Sequence, residues 1–235
     1  MMANALLTTS LVKKYWMAGT GLFLCLFLIG HLAGNLQLLI PEADGARDQF
    51  NAYAYFMTHN PLVKILSWIT YVSIIIHAID GLILAYQNRQ ARPTKYVKNN
   101  TSRNSTWSSR NMGILGTVIL AFIIIHMSNF WYTMHWGPIE SYILEDKPVK
   151  DLYTVVMKFF TDPDMGLLFT VFYVLSMIAI AFHLYHGFQS AFQSFGLNHP
   201  EWNSIIKRTG YGFAILIPLL FAIIPIALHF KLITQ

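Results

Sequence analysis

Each of the first four long apolar stretches carries a histidine well inside it: His31, His77, His126, and His183 with His186 three residues on. An ionisable group at membrane depth is costly and faces the protein interior, usually for a functional reason. Helical rise sets the level of each one. At about 1.5 Å per residue, His31 lies roughly 24 Å, and His126 roughly 22 Å, from the start of its stretch. Those two helices run in the same direction. The other two run back, with His77 roughly 22 Å and His183 roughly 27 Å beyond their starts by the same rise. The levels pair His31 with His126 and His77 with His183.

Two neutral imidazoles from facing helices of a bundle suit the axial positions of a haem iron. Two axial histidines saturate the iron, so such a haem carries electrons and does not bind oxygen. Zinc wants three or four protein ligands at one level, and each level here supplies two. A proton relay, or a haem-free transporter, would call for acidic partners, and Asp80 is the one acid inside an apolar stretch. There is no C-x-x-C-H, so a haem would be held non-covalently. The single Cys25 lies in an apolar run and excludes a disulfide or an iron–sulfur cluster from this chain alone. Gly81 and Gly187 follow His77 and His183 by one turn, and His31 lies between Gly30 and Gly34, where small residues admit a flat macrocycle or pack helices. His183 shares its glycine register with His77 and is preferred to His186 as a ligand. His59, His135, His199 and His229 fall in loops or at the ends of stretches and read as solvated or interfacial, His59 being kept open because it lies near the outer pair.

The elements that must position these groups follow from hydropathy. Of 235 residues, 55% are hydrophobic and 11% charged, which leaves too few charges to cover a soluble domain. That composition also excludes disorder and a nucleic-acid-binding domain, despite the net charge of +5. A bilayer core needs about 20 apolar helical residues, and five stretches qualify: 15–40, 62–86, 112–135, 165–192 and 205–230. The expectation is a single membrane domain over residues 1–235, all-α, with a four-helix haem-binding bundle and a peripheral fifth helix bent at Pro218 and Pro225. Ten of the sixteen Lys and Arg residues fall on the side of the N-terminus and of the loop Arg89–Arg110. The positive-inside rule then places the N-terminus in the cytoplasm and the C-terminus outside.

At the level of motifs, the sequence resembles the single-subunit dihaem cytochrome b membrane anchor of succinate dehydrogenases and fumarate reductases, of the type found in Bacteroidetes-like bacteria. The resemblance covers essentially the whole chain. It rests on Lys13-Lys14-Tyr-Trp-Met-Ala-Gly-Thr-Gly-Leu, Gly30-His31-Leu-Ala-Gly-Asn35, His77-Ala-Ile-Asp80-Gly81, Ser105-Thr-Trp-Ser-Ser-Arg110-Asn-Met-Gly with Ile125-His126-Met, and Phe182-His183-Leu-Tyr-His186-Gly187. It implies two haem b groups, the inner on His77 and His183 and the outer on His31 and His126. It also implies a bacterial cytoplasmic membrane, and a flavoprotein and an iron–sulfur subunit on its cytoplasmic face. Succinate chemistry would belong to the flavoprotein. Electrons would leave to a membrane quinone, with menaquinone expected, at this subunit. Near the outer haem, Asn35, Gln37, Glu42, His59 and Asn60 are candidate quinone contacts, and Trp131 and Tyr132 candidate walls. The stretch Tyr142–Asp164 is longer than the family leads one to expect and reads as an outer loop. A dihaem cytochrome b serving another membrane dehydrogenase or a hydrogenase would carry the same histidine pattern.

Overall fold

The computed structural model describes residues 10–91 and 105–233. Arg92, Lys95, Lys98 and Arg103, which contribute to the orientation argument and to the expected docking surface, lie outside the described residues.

In lipid every backbone N–H and C=O must be paired within the protein, which favours long uninterrupted helices. The chain is an all-α membrane protein with five helices long and apolar enough to span. They are α1 (Ser10–Asn35), α3 (Pro61–Gln90), α4 (Met112–His126), α6 (Gly166–Ser194) and α7 (Pro200–His229). The expected stretches match these cores, and the ends differ for local reasons. The first helix stops at Asn35, and a tight 3₁₀ turn over Leu36–Leu39 replaces its expected last turn. Helix α3 begins where Asn60 accepts from the Leu62 amide (2.9 Å) and Pro61 takes the first helical position. Helix α4 passes at His126 into a π-helical stretch, Met127–Tyr132, before a last α turn, Thr133–Trp136. Helix α7 starts at Pro200 and runs unbroken through Pro218 and Pro225.

The segments between these helices are more ordered than their composition suggests. Gly45, at φ 84°, turns the chain into α2 (Ala46–His59). Residues 141–150, expected as loop, form an antiparallel hairpin of β1 (Ser141–Leu144) and β2 (Lys147–Lys150). Its two-residue turn puts Glu145 and Asp146 at φ 47° and 60°, the twist that suits a two-residue hairpin. Asp151 then caps α5 (Leu152–Thr161) through the Thr154 amide (3.2 Å). Tyr153, Val156 and Phe160, at helical spacing, form the buried face of α5.

By contacts the chain divides into two units. Among the described residues the first comprises 10–27, 69–91, 105–119 and 179–216, and the second 28–68, 120–178 and 217–233. In the first, α7 packs on α6 through stacked Tyr185 and Tyr211 (ring centres 4.7 Å apart), and the Phe188 ring fills the space beside Gly210. In the second, α2, the hairpin and α5 pack on one another around Asn51 and Val149, both fully buried.

Candidate functional site

The first unit contains His77 of α3 and His183 of α6, with ring centres 6.0 Å apart. The second contains His31 of α1 and His126 of α4, with ring centres 5.8 Å apart. All four imidazoles are half-buried. Helix α6 thus turns His183, and not His186, toward His77.

Around the first pair, Thr20 of α1 lies with its Oγ1 3.1 Å from His77 Nδ1. The neighbouring Gly21 leaves room for the ring: a Cβ there would stand 3.2 Å from His77 Cε1. His183 Nδ1 is buried and has no hydrogen-bond partner. Gly81 and Gly187 face the methyl groups of Met17 and Met112, at 3.5 and 4.0 Å from where a Cβ would be. Both positions are therefore at ordinary van der Waals distance from a flexible side chain.

The second pair sits in an aromatic cluster. Phe221 of α7 lies 5.6 Å from His31, ring centre to ring centre, so the fifth helix walls this pair although it brings no histidine to it. Phe122 and Phe130 flank His126 at 5.6 and 5.5 Å. The Tyr173 hydroxyl of α6 lies 3.5 Å from His126 Nδ1 and accepts a long hydrogen bond from Asn129 (3.4 Å). Asn129 and Phe130 belong to the π-helical stretch, whose extra residue per turn re-aims side chains right after His126. Gly34, expected beside a macrocycle, instead lies under the Tyr53 ring of α2, where a Cβ would stand 2.5 Å from the nearest ring carbon. Gly30 faces open space.

The expected quinone contacts are mostly engaged elsewhere. The Asn35 amide donates to the His31 carbonyl (2.8 Å) and lies 3.4 Å from its Nδ1. Asn60 caps α3. His59 is exposed, stacked on Tyr55 at 3.8 Å and bonded through Nδ1 to the Tyr55 carbonyl. Glu42 lies in a short exposed turn, and Gln37 keeps a buried, unpartnered Oε1. Trp131 packs with His135 and Trp136, and Tyr132 is exposed, as in an interfacial aromatic belt.

Three features were not read from the sequence. The first is Thr20: a lone hydroxyl in an apolar helix ordinarily bonds its own backbone, and the one local signal is the unusual Gly-Thr-Gly in a spanning helix. The second is an ion-pair network in the second unit. Asp151, 3% exposed, accepts from Arg47 (2.6 Å), Asn51 (2.9 Å) and the Thr154 hydroxyl (2.8 Å), and so ties α5 to α2. Asn51 is completed by the Tyr153 amide (2.9 Å), and Tyr142 of the hairpin donates to Asp48 (2.7 Å). Burial disfavours the Asp151 anion, but the Arg47, Asn51 and Thr154 donors outweigh it and hold the carboxyl down at about 2.

The third is a cavity of about 390 Å³ in the same unit, lined by Thr133, Ile139, Val155, Lys158, Phe159 and Phe169 among others. Its wall connects inward: Phe159 stacks on Phe169 at 4.1 Å and meets Phe130 at 5.1 Å, and Phe130 meets His126.

The residues fit a haem in the spacing of the two pairs. With a metal–imidazole bond of about 2 Å and about 1.1 Å from ring nitrogen to ring centre, imidazoles facing across one metal have centres about 6.2 Å apart. Both observed spacings are close to that value. The described residues contain no group of three or more His, Cys, Asp or Glu placed to hold a bare metal ion, and a haem asks the protein for axial ligands only.

Comparison with known proteins finds no matching family model, no similar curated protein and no similar solved structure.

Proposed function

We propose that this chain is the dihaem cytochrome b membrane anchor of a succinate:quinone oxidoreductase, taking electrons from an iron–sulfur partner and delivering them to a membrane quinone. The observation that carries the reading is the presence of two separate histidine pairs at spacings of 5.8 and 6.0 Å, each joining two different spanning helices. A bound haem b would supply one-electron carriage at each pair. His77 and His183 would hold the inner haem, and His31 and His126 the outer one. The protein's own contribution is to fix each ring and to keep water from the iron with packed aromatic and aliphatic side chains. The flavoprotein and iron–sulfur subunits would dock on the cytoplasmic face, in a bacterial cytoplasmic membrane with the N-terminus inside and the C-terminus outside. Assignment to succinate rests on the sequence resemblance. Co-purification of the dehydrogenase subunits separates it from service to another membrane dehydrogenase or a hydrogenase.

A quinone needs an apolar slot with a few polar groups at its rim. The cavity beside Phe159 has apolar walls from Ile139, Val155, Phe159 and Phe169, and its polar lining is Thr133, Thr154, Lys158 and the carboxylates of Glu140, Asp151 and Asp162. We place the quinone ring there, the physiological quinone being menaquinone.

Two experiments test this reading. Purified protein is expected to contain two low-spin b haems per chain in a reduced-minus-oxidised spectrum with haem quantification. An assembled, haem-free preparation would sink it. Val155→Trp, which fills the cavity without touching either histidine pair, is expected to slow oxidation of the reduced haems by added quinone roughly tenfold at unchanged haem content. Unchanged oxidation would place the quinone elsewhere.

A further inference from the structure

Thr20 is buried, and its hydroxyl stands between its own helix and His77. Its Oγ1 is 2.6 Å from the Trp16 carbonyl and 3.3 Å from that of Met17. A carbonyl only accepts, and a hydroxyl has one proton, so the short contact to Trp16 claims it. Toward His77 Nδ1, at 3.1 Å, Thr20 has only lone pairs to offer. Nδ1 must then carry the imidazole proton, because two lone pairs facing each other at that distance would repel.

We infer that Thr20 is a positioning residue that fixes the tautomer of His77 and strengthens it as a metal ligand. With the proton on Nδ1, the Nε2 lone pair is free, which is the form a metal requires. The bond from Thr20 to Trp16 is the four-residue back-bond common for threonine in helices. The hydroxyl is therefore oriented by α1 itself, before any metal is present. Gly21 completes the arrangement by admitting the ring so close to the α1 backbone. His183 has no equivalent partner at its Nδ1. The pair is thus asymmetric, with one ring held by a hydrogen bond and its opposite free to follow the iron.

This inference rests on the haem reading and adds a direction to it. Donation from Nδ1–H to Thr20 shifts electron density onto Nε2 and favours ferric iron. Losing the acceptor favours ferrous iron. The test is an anaerobic redox titration of the purified haem protein with Thr20→Val, which keeps the shape and removes the hydroxyl, and Thr20→Ser, which keeps the acceptor. In Thr20→Val the ferrous-to-ferric ratio of one haem, read at its wild-type midpoint, is expected to rise about fivefold, the worth of one net hydrogen bond. The other haem is expected to stay put, and Thr20→Ser to behave as wild type. Thr20→Ala carries the same readout if the valine protein does not assemble. Both haems present at unchanged potentials in the valine or alanine variant would overturn the role of Thr20, as would an equal shift in Thr20→Ser. A haem-free wild-type protein would overturn the haem reading instead.

Discussion

Replacing His126 with leucine is expected to leave the assembled protein with one haem per chain in place of two, and replacing His77 is expected to remove the other. Each pair lies within one contact unit, and neither histidine of a pair has a second imidazole on its own helix facing the same partner ring. Loss of one axial ligand therefore leaves the iron on a single imidazole, with Phe122, Phe130 and Tyr173 beside the vacated position at the second pair. His31→Leu is expected to match His126→Leu, and His183→Leu to match His77→Leu, so that four variants fall into two spectral classes. His186→Leu and His59→Leu are expected to keep both haems, because the ring facing His77 is His183 and His59 is exposed on α2. Pyridine haemochrome quantification with potentiometric assignment of the surviving haem checks each class. If His126→Leu removed the haem that His77→Leu also removes, the pairing would be wrong.

Removing the Asp151 side chain is expected to be the most damaging change outside the histidines. Its carboxylate is 3% exposed and joins Arg47 and Asn51 of α2 to the first turn of α5. Asp151→Ala takes one partner from Asn51, which is fully buried, and uncaps α5, for an expected loss of about 2–4 kcal/mol. Arg47→Ala leaves a buried carboxylate without its cation and is expected to cost a similar amount, discounted because Arg47 is 41% exposed. The pH dependence follows from the sign of the shift. The native carboxyl sits at about 2, below its usual 3.8, so its stabilisation is fully present above pH 4 and lost as pH falls through 2. Between pH 5 and 8 the cost of Asp151→Ala is expected to be flat. Hydrogen exchange at Tyr153, whose amide bonds Asn51, reads the effect directly, and at least tenfold faster exchange in the variant is expected at pH 7. Unchanged protection would mean that apolar packing of Tyr153, Val156 and Phe160 alone holds α5 in place.

Both results turn on side chains whose legibility in the sequence differed sharply. His31, His77, His126 and His183 stand out because an imidazole in an apolar stretch is conspicuous, and constant helical rise converts position in a spanning segment into depth. Depth alone was enough to pair them. Helices α2 and α5 and the hairpin went unread because short elements with mixed polarity carry no strong period, and Glu145-Asp146 lacks the glycine or asparagine that usually announces a two-residue turn.

What the sequence by itself determined is therefore what local physics controls. In lipid each helix must satisfy its backbone internally, so the length of an apolar run settles how many spans there are and nearly where they end. What only the tertiary structure decided is which groups meet across sequence distance. Thr20 and His77 are 57 residues apart, Tyr173 and His126 are 47, and Asn51 and Asp151 are 100. A hydrogen bond demands an approach within about 3.5 Å and a definite direction. Those depend on how each helix is rotated about its axis and how closely two helices pack, and neither quantity is encoded in any one stretch of chain.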